Sequence, residues 1–364
     1  MSSENNLGEC EQEPGKKPTS QATKKLNRKN IRETIRKSLR SSIIKSFGRP
    51  PESRRKLRYK VEQRQEVKQP DKKVRGDEWD RISLREMLAG NSTKLFQGQS
   101  RYQNIQIVEA KDIRLFLDEQ LQFSSLDERI YHEAFVHVPM ALRNSHDHIL
   151  IVGGGDGLAL REVLKYSDVK SVDLVDIDPE ILNIARNLPE IVALNERALF
   201  DERVQAHAND AREFLRKNTK VYDLIIVDFP DPADEELAGL YTLEMFQMLG
   251  NHLADDGMIA CQAISPLYTP IVFWSIGLTL QAAGFYTEGY HTIVPSFGDW
   301  GFQLGSKKPL PTELKKSPDG CRTLPADLAS LFHFQSEILY FKRAAIVNKS
   351  EKVLLHDIYQ YEII

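Results

Sequence analysis

Ile149-Leu150-Ile151-Val152-Gly153-Gly154-Gly155-Asp156-Gly157 decides the fold. Four apolar, mostly β-branched residues read as a short buried strand. The glycines after them let the backbone turn sharply and approach a ligand closely. Leu158 to Tyr166 then reads as a helix. About twenty residues past the glycines, a second strand, Ser171–Val175, ends at Asp176, the usual place for an acceptor of ribose hydroxyls. A plain glycine turn beside a surface aspartate would give the same letters, so the pair gains weight from what surrounds it.

Outward from this stretch the pattern repeats. Val204–Ala208, Leu224–Val227 and Met258–Gln262 are further strands, with helical segments between them. Strands alternating with helices imply α/β architecture, a Rossmann-like doubly wound parallel sheet. In such sheets ligands sit beyond the carboxyl ends of the strands, which here carry the glycine loop, Asp176, Asp210, Asp228 and Gln262. Upstream, Tyr102–Val108 and Ile113–Asp118 read as short strands, and Leu126–Leu142 as a helix carrying Tyr131, His132 and Phe135. The chain therefore divides into a basic arm (1–75), a connector with a short helix near Ile82–Leu88 (76–92), a small β-rich lobe (93–145), the Rossmann-like domain (146–310) and a C-terminal extension (311–364). From about residue 320 that extension is expected to add helix and strand.

Charge separates the arm from the body. Lys16 to Arg75 holds 22 Lys/Arg against 5 Asp/Glu, whereas the residues from Gly76 onward sum to about -16 within a net charge of -3. In the arm, Ile31, Ile35, Leu39, Ile43 and Phe47 fall at four-residue steps among basic residues. That is an apolar stripe suited to an anionic membrane or acidic partner, on a segment whose composition otherwise reads as disordered. The arm lacks the interleaved aromatics that stack on bases, so a nucleic-acid partner is not expected. The N-terminus opens acidic, without the apolar core of a signal peptide. Gly257 to Thr287 has no charged residue, but its Gln262, Pro266, Pro270 and Gln281 favour a buried strand, a loop and a helix over a membrane span. Cys10, Cys261 and Cys321 are too far apart for a disulfide framework or metal spacing, which fits a reducing compartment. His132 and His137 are five apart, not the four of a zinc helix, so no metal site is expected. His252, His291, His333 and His356 have no partners legible in the sequence.

Asp156 narrows the ligand. A helix N-terminus with a bare glycine loop favours phosphate. A carboxylate within the loop repels phosphate, and would repel the carboxylate of S-adenosylmethionine, but attracts an ammonium. Opposite charges about 4 Å apart at an effective dielectric near 20 interact by about 4 kcal/mol before desolvation, enough to choose between such ligands. Decarboxylated S-adenosylmethionine has the ammonium and lacks the carboxylate. Asp228-Phe229-Pro230-Asp231-Pro232 then places two carboxylates on one loop at a strand end. An amine nucleophile arrives protonated, with a pKa of about 10.4 if it behaves like Lys, and must lose a proton before attacking carbon. Asp228 is assigned as the base and Asp231 as the orienting group.

Taken in order, these motifs resemble the spermidine synthase family of polyamine aminopropyltransferases. Tyr102-Gln103 is similar to its donor-side pair. Leu117 to Gln122, Asp127-Glu128 and Tyr131-His132-Glu133 are similar to its acceptor-side segment. Gly153 to Gly157 with Arg161-Glu162, and Asp228 to Pro232, resemble its two central motifs. Tyr290 to Phe302 resembles the branch whose members carry membrane helices ahead of the enzyme domain. The resemblance implies a fold of the class I methyltransferase type. It also implies transfer of an aminopropyl group from decarboxylated S-adenosylmethionine to a diamine, with putrescine as the default acceptor. No prosthetic group, a homodimer and a cytoplasmic location follow from it too. It implies Gln103 and Asp156 at the aminopropyl end of the donor, Asp176 at the ribose and Asp210 at the adenine, beside the loop glycines Gly153 and Gly155. Gln122, Tyr131, His132 and Asp231 would line the amine path. The chain departs from the family pattern in having Asp176 for Glu, Asn209 before Asp210, and Phe297 where many members have Tyr; the last bears on which amine is accepted. Two rivals stand beside this reading: a methyltransferase on the same fold, which would bind intact S-adenosylmethionine equally well, and a non-catalytic scaffold served by the basic arm.

Overall fold

A computed structural model describes residues 75–143, 145–310 and 320–363, all within the compact unit that runs from Gln69 to the C-terminus. The apolar stripe at Ile31–Phe47 lies outside the described residues.

Helix α1 (Glu78–Ala89) is capped by Asp77, whose side chain accepts from the Asp80 amide. Strands β1 (Thr93–Gln99), β2 (Asn104–Glu109), β3 (Ile113–Leu117) and β4 (Gln120–Ser124) form an antiparallel sheet in sequence order. β1 and β4 are absent from the sequence reading. β1 is polar and half-exposed, so period-2 patterning is faint there. The β3–β4 turn consists of Asp118 and Glu119, both at positive φ. Tight hairpins demand this conformation, but glycine or asparagine usually signals it. Here the turn is held from outside: Arg75 donates its backbone N–H to the Asp118 carbonyl and pairs with the Asp118 carboxylate, which also takes the Asn104 amide.

Helix α2 (Glu128–Ala141) leads to β5 (His148–Gly153), α3 (Leu158–Val163), β6 (Ser171–Asp176), α4 (Pro179–Asn187), α5 (Pro189–Leu194) and β7 (Val204–Ala208). Then come α6 (Ala211–Lys217), β8 (Tyr222–Asp228), α7 (Glu235–Ala238), α8 (Leu243–Asn251), β9 (Leu253–Gln262) and α9 (Pro270–Ala282). A hairpin of β10 (Tyr286–Val294) and β11 (Gly298–Ser306) completes the large sheet, and α10 (Ser336–Tyr340) and α11 (Leu355–Ile363) follow.

The seven-stranded order is β10-β11-β9-β8-β5-β6-β7. β7, β6, β5, β8 and β9 are parallel; β11 runs antiparallel to β9 and β10 to β11. Strand order reverses between β5 and β8, the switch point where such sheets open a crevice. Both faces are covered, as a parallel sheet requires. Ile149, Ile151, Leu224 and Ile226 face one buried cluster, while Leu150, Val152, Ile225 and Val227 face another. The uncharged stretch resolves into the end of β9, a loop and the buried α9, with Phe273 and Trp274 in the core. Among the described residues no helix is long and apolar enough to cross a membrane.

Two expectations are corrected. The first helix of the large domain stops at Val163, not Tyr166, and passes into turns. Beyond residue 320 the described residues form helices and 3-10 turns with one isolated bridge, Lys349–Lys352, and no added strand. That region packs against α9 and, through the 3-10 turn at Leu328–Phe332, against the edge strand β10, without adding a strand to it.

Candidate active site

The sheet register brings the site together. Gly153 pairs with Asp228 across β5/β8, and Asp176 ends β6 one strand away. Gly153, Gly154 and Gly157 have φ of 83°, 65° and 81°, where a side chain is strained. Gly153 also has no room for one: a Cβ would lie 2.1 Å from the Asp228 carbonyl oxygen. At Gly155 a Cβ would meet the Asp176 Oδ2 at 2.6 Å. That oxygen accepts the Gly155 N–H at 2.9 Å, while Oδ1 takes the Asp178 N–H at 2.8 Å.

Gln103, Gln122, Tyr131, His132, Gly153, Gly155, Asp156, Asp176, Asp210, Asp228 and Asp231, the residues singled out in the sequence, all line one cavity of about 480 Å³. Gln103 donates its amide to Asp178 Oδ2 at 2.8 Å. Asp156 Oδ1 accepts the Leu158 N–H at 2.9 Å. Asp210 caps α6, its Oδ1 accepting from Arg212 and Glu213. The Tyr131 hydroxyl donates to Asp228 Oδ1 at 2.7 Å.

Burial pushes the carboxyls of Asp176, Asp228 and Asp231 up to about 6 and raises Asp156 as well. For Asp228 the nearby His132 and the Tyr131 hydroxyl oppose that rise, and Asp156 adds to it. His132 is the counterweight. Burial disfavours its cation, but its Nδ1 contact with Glu128 at 2.9 Å, with Asp156 and Asp228 nearby, holds its pKa above the ordinary value. Glu128 is in turn gripped by both Arg161 NH groups at 2.9 Å, and the Arg161 Nε donates to Glu162 at 2.7 Å. Arg161-Glu162 thus stands behind the cavity as a buried brace for His132. A pocket with this charge suits a cationic ligand.

Two contributors escaped sequence reasoning. Gln120, rather than Gln122, donates to Asp231 Oδ2, at 2.9 Å; the Gln122 amide is spent on the Gln120 carbonyl at 3.2 Å. Strand alternation puts both on one face, and only the hairpin geometry ranks them. Tyr359, on α11, donates to the same Asp231 oxygen at 3.1 Å. No local signal marks it. Two of the four histidines without legible partners have them in space: His291 contacts Asp299 at 2.6 Å and the His333 carbonyl at 2.8 Å, and His252 contacts the Lys220 carbonyl at 3.0 Å.

Comparison with known proteins agrees with this geometry. Residues 128–316 match the spermine/spermidine synthase domain. Polyamine aminopropyltransferase 2 of Bacillus cereus is 51% identical over 292 residues, 79% of this chain and 80% of its own length. Its Bacillus anthracis counterpart is 50% identical, with 79% and 81% covered. Among solved structures, a spermidine synthase in complex with the transition-state analogue AdoDATO superposes with a TM-score of 0.63 at 26% identity, covering 69% of this chain and 88% of that one. The spermidine synthase of Thermotoga maritima gives 0.61 at 26%, covering 68% and 87%. The chain belongs to the spermine/spermidine synthase family, the polyamine aminopropyltransferases.

Proposed function

We propose that the chain transfers the aminopropyl group of decarboxylated S-adenosylmethionine to a diamine, with putrescine as the default acceptor, and releases 5'-methylthioadenosine. The observation that carries this is the juxtaposition, in one cavity, of the Asp156-bearing glycine loop and an Asp228 carboxyl oriented by Tyr131. Asp176 takes the ribose hydroxyls and Asp210 the adenine amino group. Gln103 and Asp156 hold the donor's terminal ammonium. Gln122, Tyr131, His132 and Asp231 line the path of the amine.

The amine enters as an ammonium and gives one proton to Asp228. Its lone pair then attacks the methylene beside the sulfonium. The carbon–sulfur bond breaks, its electron pair stays on sulfur, and the thioether leaves neutral. A base near 6 lies close to the working pH, where general-base catalysis is most effective. Alignment of the two cations by fixed carboxylates contributes much of the rest.

The test is turnover by the full chain with decarboxylated S-adenosylmethionine and a panel of amines, with products read by mass. Amine-dependent release of methylthioadenosine is expected, falling about 10²–10⁴-fold in Asp228→Asn. Donor binding without release on any amine would sink the reading. A homodimer and peripheral membrane contact through the basic arm belong to the same proposal. Sedimentation with anionic vesicles, comparing the full chain with one starting at Gly76, tests the second; equal sedimentation would refute it.

A further inference from the structure

The C-terminal region lies beyond the matched domain, which ends at residue 316, yet it reaches the cavity wall. It is fixed there. Asn348 is fully buried: its side-chain amide donates to the Ala238 and Tyr241 carbonyls, and its side-chain oxygen accepts from Leu354 and Leu355. Those last two bonds set the start of α11. At the far end of α11, the two carboxyl oxygens of Glu362 accept the Ile271 and Val272 N–H groups at 3.0 Å each, in the first turn of α9. Gln360 donates to the Ala233 carbonyl, just past the Asp228–Pro232 loop. Leu355 and Tyr359 are buried between these ties.

Tyr359 is the residue this scaffold delivers. Its hydroxyl and the Gln120 amide share Asp231 Oδ2, at 3.1 and 2.9 Å. Gln120 is 6% exposed and lines the cavity; with its amide spent on Asp231, its side-chain oxygen is buried without a hydrogen-bond partner among the described residues. An unpartnered buried acceptor beside a carboxylate is costly unless a donor fills it, and an ammonium has three.

We propose that Tyr359 is a positioning residue of the amine subsite: from α11 it orients Asp231, so that Asp231 and the free oxygen of Gln120 together receive a primary ammonium of the acceptor. This rests on the proposed acceptor role of Asp231. Two donors hold Oδ2 of Asp231, the Gln262 side chain also faces that carboxyl, and the Gln120 amide is fixed with its oxygen free. The C-terminal extension is then part of the enzyme's specificity apparatus, and its sequence can retune amine choice without touching the central motifs.

Steady-state kinetics of the full chain with 1,4-diaminobutane and decarboxylated S-adenosylmethionine test it. Tyr359→Phe keeps the ring and removes only the hydroxyl. The amine KM should rise about tenfold, the usual scale for losing a hydrogen bond to a charged group, with kcat and donor KM within about twofold. Because the hydroxyl favours ionised Asp231, the acid limb of kcat/KM for the amine should also move to higher pH. The other titratable groups facing Asp231 are Asp77 and Asp80 from α1 and its cap, Tyr131 from α2, and Tyr241; none is changed. Asp231→Asn supplies the control. Alone it should raise the amine KM, and adding Tyr359→Phe to it should cost nothing further. If Asp231→Asn leaves the amine KM unchanged, the acceptor reading fails and this inference with it. If Asp231→Asn acts but Tyr359→Phe matches the parent, or the two effects simply add, this inference alone is overturned.

Discussion

The two halves of the cavity are built in opposite ways. On the proposed assignment the donor half comes mainly from consecutive strand ends of one sheet, Gly153–Asp156 at the end of β5, Asp176 at the end of β6 and Asp210 after β7, joined by Gln103 from the turn between β1 and β2. The amine half is gathered from distant places: Gln120 on β4, Tyr131 on α2 and Asp231 after β8, with Tyr359 on α11 behind Asp231. In the first half the sheet sets most of the geometry, and Asp156, Asp176 and Asp210 are each held by backbone amides nearby. In the second, side chains hold one another across as many as 128 positions of sequence. Damage to the donor half should therefore be local and severe, and damage to the amine half distributed and moderate.

Gly155→Ala is the hardest blow to the donor half. The added methyl would stand 2.6 Å from Asp176 Oδ2 and displace the carboxylate from the Gly155 N–H. Donor affinity should drop about 100-fold, the upper range for losing charge-assisted bonds, measured by calorimetry with decarboxylated S-adenosylmethionine. Affinity within threefold of the parent would show that Asp176 does not hold the donor.

A smaller effect comes from pH. Burial raises Asp156, and it lifts Asp176 and Asp228 to about 6. For Asp176 and Asp228, between the ordinary range near 4 and about 6, the folded chain binds more protons than the unfolded one. Their contribution to stability is thus present at low pH and falls as pH rises through that window. A cationic donor requires the ionised forms, so binding below pH 6 must expel protons, at about a tenfold loss of affinity per pH unit for each. Calorimetry in two buffers of different ionisation enthalpy would reveal the release; identical heats at pH 5.5 would contradict it.

The same contrast explains what the sequence disclosed. The parallel sheet and the acidic residues at its edge of the cavity were legible because β5, β6 and β8 close on Gly153, Asp176 and Asp228, and Asp210 follows β7. Asp228 and Asp231 were legible as a pair on one loop. The β3–β4 hairpin was not, because Asp118 and Glu119 take positive φ without glycine and depend on Arg75. Gln120 could not be ranked above its neighbour Gln122, and Tyr359 lay in a tail without motif. Long-range side-chain bonds leave no periodicity to read.

Tyr131→Phe probes the seam between the halves. The hydroxyl supports ionised Asp228, so its loss should raise that carboxyl's pKa and lower kcat about fivefold at pH 5, where the carboxyl is mostly protonated, from a net hydrogen bond of about 1 kcal/mol. The deficit should shrink at pH 8, with donor affinity unchanged. A deficit independent of pH would mean that Tyr131 acts by packing.

The smallest expected effect tests whether the amine half depends on a distant brace. Glu362 does not line the cavity; its carboxyl ties the end of α11 to the first turn of α9. In Glu362→Gln one of two accepting oxygens becomes an N–H₂ facing a backbone donor. Denaturant unfolding should show a loss of about 1–2 kcal/mol. Because α11 also carries Tyr359, the amine KM should rise two- to threefold, while donor affinity, set by the sheet, stays at the parental value. Equal weakening of both ligands would erase the distinction between a donor half held mainly by the sheet and an amine half that the tail helps to hold.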